Sequence, residues 1–197
     1  MTLSDRQPTT ENYDFHGIID RHQRAIYRYL VRCTGNIDDA QELFQDTFLR
    51  AHRAYAGLSN DANHQAWLFR IATNLVKNYI RSRERRRKVF VDGEAPVSSH
   101  SANSNTAHTE DDLQSQETAH ILLKAIQALP FRQRTALIQR QFEGFGYRLI
   151  AENLECSEGT PRAHVYQALR KLRIRWHQMN TEEERRGHVY PKSQNEA

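Results

Sequence analysis

The clearest periodic pattern in this chain lies in the stretch Trp67-Leu-Phe-Arg-Ile-Ala-Thr-Asn-Leu-Val-Lys-Asn-Tyr79. Its apolar side chains recur every three or four residues, the spacing that places them on one face of an α-helix. That face comprises Trp67, Leu68, Ile71, Ala72, Leu75, Val76 and Tyr79. The outward positions, which continue beyond the stretch, are Lys77, Asn78, Arg81 and Arg85. The pattern predicts a long helix with one buried face and one basic, exposed face.

Two shorter helical patterns precede this stretch. The first has apolar positions at Phe15, Ile18, Ile19, Ile26, Tyr29, Leu30 and Cys33. The second has the inward stripe Ala40, Leu43, Phe44, Thr47, Phe48 and Ala51. Gly35-Asn36 ends the first helix, and Asp38 or Asp39 is expected to cap the second by accepting backbone N–H groups. With a loop over residues 57–63, the three helices predict one small all-α domain.

A second group of helices is predicted towards the end of the chain. Periodicity resumes at Ile121, stops at Pro130, restarts around Ala136 and is broken at Gly144 and Gly146. A short helix over residues 147–154 is followed by the turn Glu155-Cys156-Ser157, and a basic helix then runs from about the end of that turn to residue 177. Two helices joined by a turn of three or four residues, the second of them basic, are typical of a helix-turn-helix.

Residues 92–117 separate the two groups and differ from them in composition. They hold six acids, no Lys or Arg, and almost no large apolar side chain. Such a stretch cannot offset an ordering cost of about 1–2 kcal/mol per residue, so it predicts a flexible linker. The predicted fold class is all-α, with two small helical domains joined by this linker and a helix-turn-helix as the second. The expected division is a first domain at 13–90, a linker at 91–118, a second domain at 119–178 and a polar tail at 179–197.

Composition restricts the classes of protein that fit. The 197 residues allow one ordinary domain or two small ones. Cys33 and Cys156 lack CxxC spacing and the ten histidines are scattered, so we expect no disulfide scaffold, no metal and no other cofactor. Phosphate-loop, zinc-protease and nucleophile-elbow motifs are missing, which argues against an enzyme. No apolar run approaches the ~20 residues that cross a bilayer, so a soluble, cytoplasmic protein without membrane insertion is expected.

Charge is strongly segregated along the chain. The 28 Lys and Arg residues against 24 Asp and Glu residues give a net charge of only +4. Residues 77–88, however, hold seven bases and one acid, and residues 159–176 hold five bases and no acid. One basic helix fits an ordinary solvated surface. Two basic clusters on either side of an acidic spacer indicate a polyanionic partner such as nucleic acid.

Several motifs together resemble a known family. The first group of helices contains Asp39-Ala-Gln-Glu-Leu-Phe-Gln-Asp-Thr-Phe48 and Trp67-Leu-Phe-Arg-Ile-Ala-Thr-Asn74. The second contains Leu129-Pro130, Phe142-Glu-Gly144, Tyr147, Ile150-Ala151 and Gly159-Thr160. In type and order these motifs resemble the extracytoplasmic-function group of bacterial RNA polymerase sigma factors, over roughly residues 13–176. The resemblance implies a subunit that binds core RNA polymerase, recognises the minus-ten and minus-thirty-five promoter elements and opens promoter DNA.

By this resemblance, the outward face of the second helix would bind core polymerase. The residues at the matching positions are Asp39, Glu42, Gln45 and Asp46. An acidic, hydrogen-bonding face suits a partner that bears arginines. From its chemistry alone the same face is an ordinary solvated surface, and only the motif favours polymerase.

The resemblance assigns the minus-ten element to the first domain. A base that leaves the stack loses on the order of a few kcal/mol, so its reader needs a pocket to hold it. The loop ahead of the third helix offers Asn60, Asp61, Asn63 and His64 for this pocket. The basic face adds Lys77, Asn78, Arg81 and Arg85, which would hold the DNA backbone. Trp67 could stack on a base, but its place in the apolar stripe favours core packing.

The last helix would enter the major groove at the minus-thirty-five element. Its expected contacts are Thr160, Arg162, His164, Tyr166, Gln167, Arg170 and Lys171. Arg162 could bind guanine O6 and N7, a contact that gives about 1–3 kcal/mol of discrimination, or a phosphate. The chain departs from the family pattern at Leu149, Pro161, Ala163-His164 and Gln167, so the usual minus-thirty-five sequence does not follow from the resemblance. Because proline suits only the first turn of a helix, the last helix either starts at Thr160 or loses one hydrogen bond at Pro161.

Other functions fit parts of the same pattern. A stand-alone DNA-binding regulator would use the helix-turn-helix without polymerase and would have no use for Glu42 and Gln45. A helical adaptor would bind a protein partner through its acidic face and linker. The family resemblance also implies control by an anti-sigma factor that covers the polymerase-binding and DNA-binding faces.

Overall fold

The computed structural model describes residues 10–58, 62–89 and 110–187. Within these ranges the chain forms helices and no strands, which confirms the all-α prediction. The helices are α1 (Thr10–Thr34), α2 (Ile37–Tyr55), α3 (His64–Val89), α4 (Glu110–Gln127), α5 (Phe131–Gln141), α6 (Tyr147–Leu154) and α7 (Thr160–Gly187). None of these described helices is long and apolar enough to cross a membrane.

The start of α2 differs from its prediction. The N-cap is Asn36, whose side-chain oxygen accepts the backbone N–H of Asp39 at 3.0 Å. The expectation of a cap at Asp38 or Asp39 is therefore wrong. Gly35 takes a left-handed conformation (φ 71°) that turns the chain sharply after α1. Asn36 follows this turn directly, which puts its side chain at the first turn of α2.

The start of α4 also differs. Residues 110–118, predicted as the end of the linker, lie in this helix. The acids that lowered the apolar content of the stretch, Glu110, Asp111 and Asp112, stand in its first turn. Acidic residues are also common in the sequence of the first turn of a helix, so the composition that suggests a linker is equally compatible with a helix start. The rest of the predicted linker, 91–109, lies outside the described residues.

The last helix is longer than predicted. It begins at Thr160, the start that Pro161 favours over one near Ser157, and it continues to Gly187. Pro161 falls in the first turn, where its missing N–H breaks no helical hydrogen bond. Part of the predicted tail therefore belongs to α7, and residues 188–197 lie outside the described residues.

The two groups of helices pack directly on each other. Helices α1 and α3 of the first group contact α5 of the second, and α3 also contacts α6. Phe69 of α3 is fully buried, with its ring 5.1 Å from that of Tyr29 and 4.8 Å from that of Phe145. Phe69 lies outside the predicted apolar stripe of α3, because that helix buries a second face against the other group.

Candidate nucleic-acid and polymerase interface

The outward face of α2 presents most of the side chains predicted to bind polymerase. Glu42 and Gln45 are exposed, and Asp46 is half-buried. Asp39 instead accepts a hydrogen bond from the hydroxyl of Tyr79 on α3 at 2.6 Å. Burial raises the pKa of Tyr79 and this bond raises it further, so the hydroxyl remains a donor. Asp39 thus links α2 to α3. The accessible part of the face comprises Glu42, Gln45 and Asp46, and Asp46 lies 4.0 Å from the guanidinium of Arg50 one turn later.

The start of α3 holds two of the four residues predicted to capture a flipped base. Asn63 is exposed, and its side-chain oxygen accepts a backbone N–H three residues later at 3.0 Å, which caps the helix. His64 is half-buried. Asn60 and Asp61 lie outside the described residues. Trp67 is partly buried and packs against the core, as its place in the apolar stripe predicts.

The basic face of α3 is open except at one position. Asn78, Arg81 and Arg85 are exposed. The Nζ atom of Lys77 lies 3.1 Å from a carboxylate oxygen of Glu155, in the turn that precedes α7. The hydrogen bond from Lys77, and then its charge, lower the pKa of Glu155. A DNA phosphate would have to compete with Glu155 for this lysine.

Helices α6 and α7 form the predicted helix-turn-helix. Glu155 follows α6 in a left-handed conformation (φ 51°), and α7 begins five residues later. The hydroxyl oxygens of Ser157 and Thr160 lie 2.6 Å apart at the start of α7. The predicted minus-thirty-five contacts that are exposed on α7 are Arg162, Tyr166, Gln167, Arg170 and Lys171. They give the helix a polar, basic outer surface.

Two predicted minus-thirty-five contacts have surroundings that the sequence did not reveal. Gln167 accepts a hydrogen bond from the side-chain amide of Gln133 at 2.7 Å. His164 is half-buried, and within the described part of the chain its shielded ring nitrogens have no hydrogen-bond partner. Burial lowers the pKa of His164, and the charge of Arg132 lowers it further. The imidazole is therefore neutral, and its nitrogens are not presented to DNA in this arrangement.

A buried polar network lies between the two groups of helices. Gln139 of α5 donates to the hydroxyls of Thr73 at 2.9 Å and Tyr29 at 3.4 Å, and its oxygen accepts from Asn153 at 3.1 Å. The two hydroxyl oxygens are themselves 2.9 Å apart. Each of these side chains is at most 1% exposed. Buried polar groups must find partners inside the protein, so the network fixes how the two groups fit together.

Arg134 of α5 provides a second link between the groups. It donates to the carbonyl oxygen of Cys33 at 2.7 Å, to that of Leu129 at 3.1 Å and to that of Gln127. The Cys33 side chain is completely buried beside it, and this burial raises the pKa of the thiol to about 12. Cys33 is therefore an unreactive packing residue.

Comparison with known families accounts for both groups of helices. The sequence profile of Sigma-70 region 2 matches residues 18–86, which span most of α1, all of α2 and most of α3. The profile of Sigma-70 region 4 matches residues 119–172, from α4 to the middle of α7.

Individual relatives agree with these matches. The RNA polymerase sigma-H factor of Pseudomonas aeruginosa is 30% identical over 174 residues, which cover 84% of this chain and 88% of that protein. The ECF RNA polymerase sigma-E factor of Haemophilus influenzae is 29% identical over 173 residues, 85% of this chain and 90% of that protein. A similar solved structure is the sigma factor RpoE in complex with the anti-sigma factor NepR from Bartonella quintana. It has a TM-score of 0.61 and 27% identity and covers 82% of this chain and 95% of that one.

Proposed function

This chain belongs to the extracytoplasmic-function group of the sigma-70 family of RNA polymerase sigma factors, and we propose that three of its surfaces divide the work of transcription initiation. Sigma factors are non-enzymatic initiation factors that bind core RNA polymerase and promoter DNA. The three surfaces are the α2 face of Glu42, Gln45 and Asp46, the basic face of α3, and the outer surface of α7. The observation that carries the proposal is the presence of both sigma-70 regions in order, each with an exposed surface of the expected charge. Such a protein acts where polymerase and promoter DNA are, in the bacterial cytoplasm.

The α2 face is proposed to bind the core polymerase. Its side chains carry two carboxylates and one amide, which accept hydrogen bonds from arginine or lysine. Charge pairs between a negative face and a positive partner speed association and fix the docking register. A stand-alone regulator would need no such face, and the Sigma-70 region 2 match over residues 18–86 would have no role in it.

The basic face of α3 is proposed to hold the minus-ten element during opening. Arg81 and Arg85 are exposed cations that can bind phosphates along the strand. Asn63 and His64 lie at the start of the same helix and are proposed, with Asn60 and Asp61, to line the pocket for a flipped base. Fixed donors and acceptors there would offset the cost of unstacking.

The outer surface of α7 is proposed to read the minus-thirty-five element from the major groove. Arg162, in the first turn, is proposed to contact a base, because the N-terminal residues of a recognition helix reach base edges. Arg170 and Lys171 lie two to three turns further along and are proposed to bind phosphates. Tyr166 and Gln167 stand between them on the exposed side.

Binding both elements requires the two groups of helices to separate. The elements are centred about 25 base pairs apart, or about 85 Å along B-form DNA at about 3.4 Å per pair. In the structure the two groups of helices pack on each other, which we call the closed arrangement. There the turn before α7 contacts α3, because Glu155 pairs with Lys77 at 3.1 Å. The twenty residues between α3 and α4 can span up to about 70 Å when extended. We therefore propose that the interface around Gln139 opens on the promoter, which also frees Lys77.

An anti-sigma factor is proposed as a regulatory partner. The RpoE structure that this chain resembles contains such a partner. Because the two groups of helices here pack directly on each other through Phe69 and Gln139, a partner that binds this closed form would lie on its outer surface.

Core binding provides the test of this proposal. The double variant Glu42→Ala/Gln45→Ala should lose about tenfold or more of its affinity for purified core polymerase, because hydrogen-bonded charges at an interface are costly to remove. The matched control is Asp20→Ala, an exposed acid on α1, which should bind normally. Equal binding by both variants would refute the assignment of the α2 face, and a native chain that does not bind core at all would refute the function.

A further inference from the structure

Tyr147 stands where three helices of the second group converge. It is the first residue of α6, and its ring contacts Arg140 near the end of α5 and Arg162 at the start of α7. Its ring is half-buried and lies under two guanidinium groups. The Arg140 guanidinium carbon is 4.9 Å from the ring centroid, and that of Arg162 is 5.3 Å from it. Both distances fall within the range of about 6 Å in which an aromatic face attracts a cation.

The two arginines are held in different ways. Arg140 also donates to the backbone carbonyl of Phe145 at 3.0 Å, so its position is fixed from two sides. Arg162 is exposed, and its guanidinium lies over the face of Tyr147. The backbone of Arg162 is fixed in the first turn of α7, one residue after Pro161. The contact with the ring therefore restricts the rotation of the Arg162 side chain, which is long and otherwise mobile.

This freedom matters for reading a base. A guanidinium discriminates guanine by donating two parallel hydrogen bonds to O6 and N7, which demands a defined plane and direction. A freely rotating arginine satisfies a phosphate equally well and then carries no sequence information. Arginine side chains also lose rotamer entropy on binding, and a side chain that is already oriented loses less.

We propose that Tyr147 is a positioning residue for minus-thirty-five recognition, which holds the guanidinium of Arg162 in the orientation that reads a guanine. Arg140 contacts the same ring and holds it next to the end of α5. The inference rests on the proposed contact of Arg162 with a base. Without the aromatic face, Arg162 binds the DNA backbone, and selectivity falls while general affinity for DNA remains.

The test uses the complete chain assembled with core polymerase. The holoenzyme is selected on duplexes with a randomised six-base-pair element upstream of a constant minus-ten region, and base preference is measured at each position. Arg162→Ala should lose about tenfold to a hundredfold of the preference for G·C at one position. Tyr147→Leu should lose several-fold of the preference at that same position, whereas Tyr147→Phe, which keeps the aromatic face, should stay close to the native chain.

The double variant Tyr147→Leu/Arg162→Ala separates positioning from stability. It should show the same base preferences as Arg162→Ala alone, because the ring acts through the arginine. The proposal is overturned if Tyr147→Leu weakens binding to all sequences equally, leaves the preference intact, or has a further effect in the absence of Arg162. If Arg162→Ala itself changes no preference, the proposed base contact fails, and the role of Tyr147 fails with it.

Discussion

Gln139 shows what a single residue does for the arrangement of this molecule. Its side-chain amide is wholly buried. The amide nitrogen donates a hydrogen bond to Thr73, and the amide oxygen accepts one from Asn153. One feature of the sequence points to this role: Gln139 is a polar residue directly after the apolar run Ala136–Ile138. Periodicity alone treats such a residue as an outward position. Only the packing of α5 against α3 and α6 identifies its partners.

Removal of this amide should destabilise the fold. The change Gln139→Leu keeps the side chain about the same size but leaves the buried Asn153 amide without its acceptor. We expect the free energy of unfolding in urea to fall by about 1–3 kcal/mol, the cost of an unsatisfied buried polar group. Gln141→Leu, at an exposed position of the same helix, is the control and should change it by less than about 0.5 kcal/mol. Equal effects of the two variants would show that the network contributes nothing.

Among the elements, the helices with a clean apolar stripe were predictable, and so were the end of α1 before Gly35 and both ends of α6. Other helix ends were not. The stripes of α1, α2 and α3 appear in the core as expected, because burial dictates their spacing. The cap of α2 follows the left-handed turn at Gly35, and α4 begins within a stretch whose composition suggests a linker. The basic outward face of α3 follows from the same periodicity, whereas the roles given to α2, α3 and α7 came from a family resemblance. Burial adds which of their residues are exposed. Asp39, Lys77 and His164 are engaged or shielded in ways that no sequence spacing reveals.

The role proposed for α3 predicts a specific salt dependence. If Arg81 binds a phosphate, it displaces a counterion from the DNA. A variant without Arg81 therefore displaces about one counterion fewer when it binds promoter DNA. Arg81→Ala in the holoenzyme should weaken binding to all promoters and reduce the slope of log affinity against log salt by about 0.9. Arg53→Ala, an exposed cation on α2, should leave the slope unchanged. An unchanged slope for Arg81→Ala would remove this residue from the DNA-binding face.

At the scale of the whole molecule, the two groups of helices, packed on each other in the closed arrangement, cannot reach both promoter elements at once. The basic face of α3 contacts the turn that leads into α7, through Lys77 and Glu155, while the two promoter elements lie about 85 Å apart on B-form DNA. The sequence predicted two domains and a linker between them. The sequence could not predict that the two domains pack on each other. That packing depends on contacts that Phe69 and Gln139 make with residues distant from them in the sequence.

The separation can be measured by energy transfer between two labels. Arg70 and Glu158 line one groove between α3 and the helix-turn-helix, so cysteines placed there should be close in the free chain. Cys156→Ser removes the half-buried native thiol, and the buried Cys33, with its pKa raised to about 12, should not react. Energy transfer should be high in the free chain and should be almost lost in the complex with core polymerase and promoter DNA.

A pair of labels at Arg70 and Glu84 provides the control for that measurement. Both positions lie on α3 and are separated by about 21 Å of rigid helix, so their energy transfer should not change on binding. If the first pair keeps its high transfer in the promoter complex, the two groups of helices do not separate.

The central claim is that this chain gives core RNA polymerase its promoter selectivity. The most direct measurement is transcription in vitro with purified core polymerase, the chain and fragmented bacterial genomic DNA, with every transcript start mapped. We predict a discrete set of starts that appear only when the chain is present, each preceded by a shared minus-ten and a shared minus-thirty-five element. Starts that are unchanged by the chain, or new starts without shared upstream elements, would contradict the account.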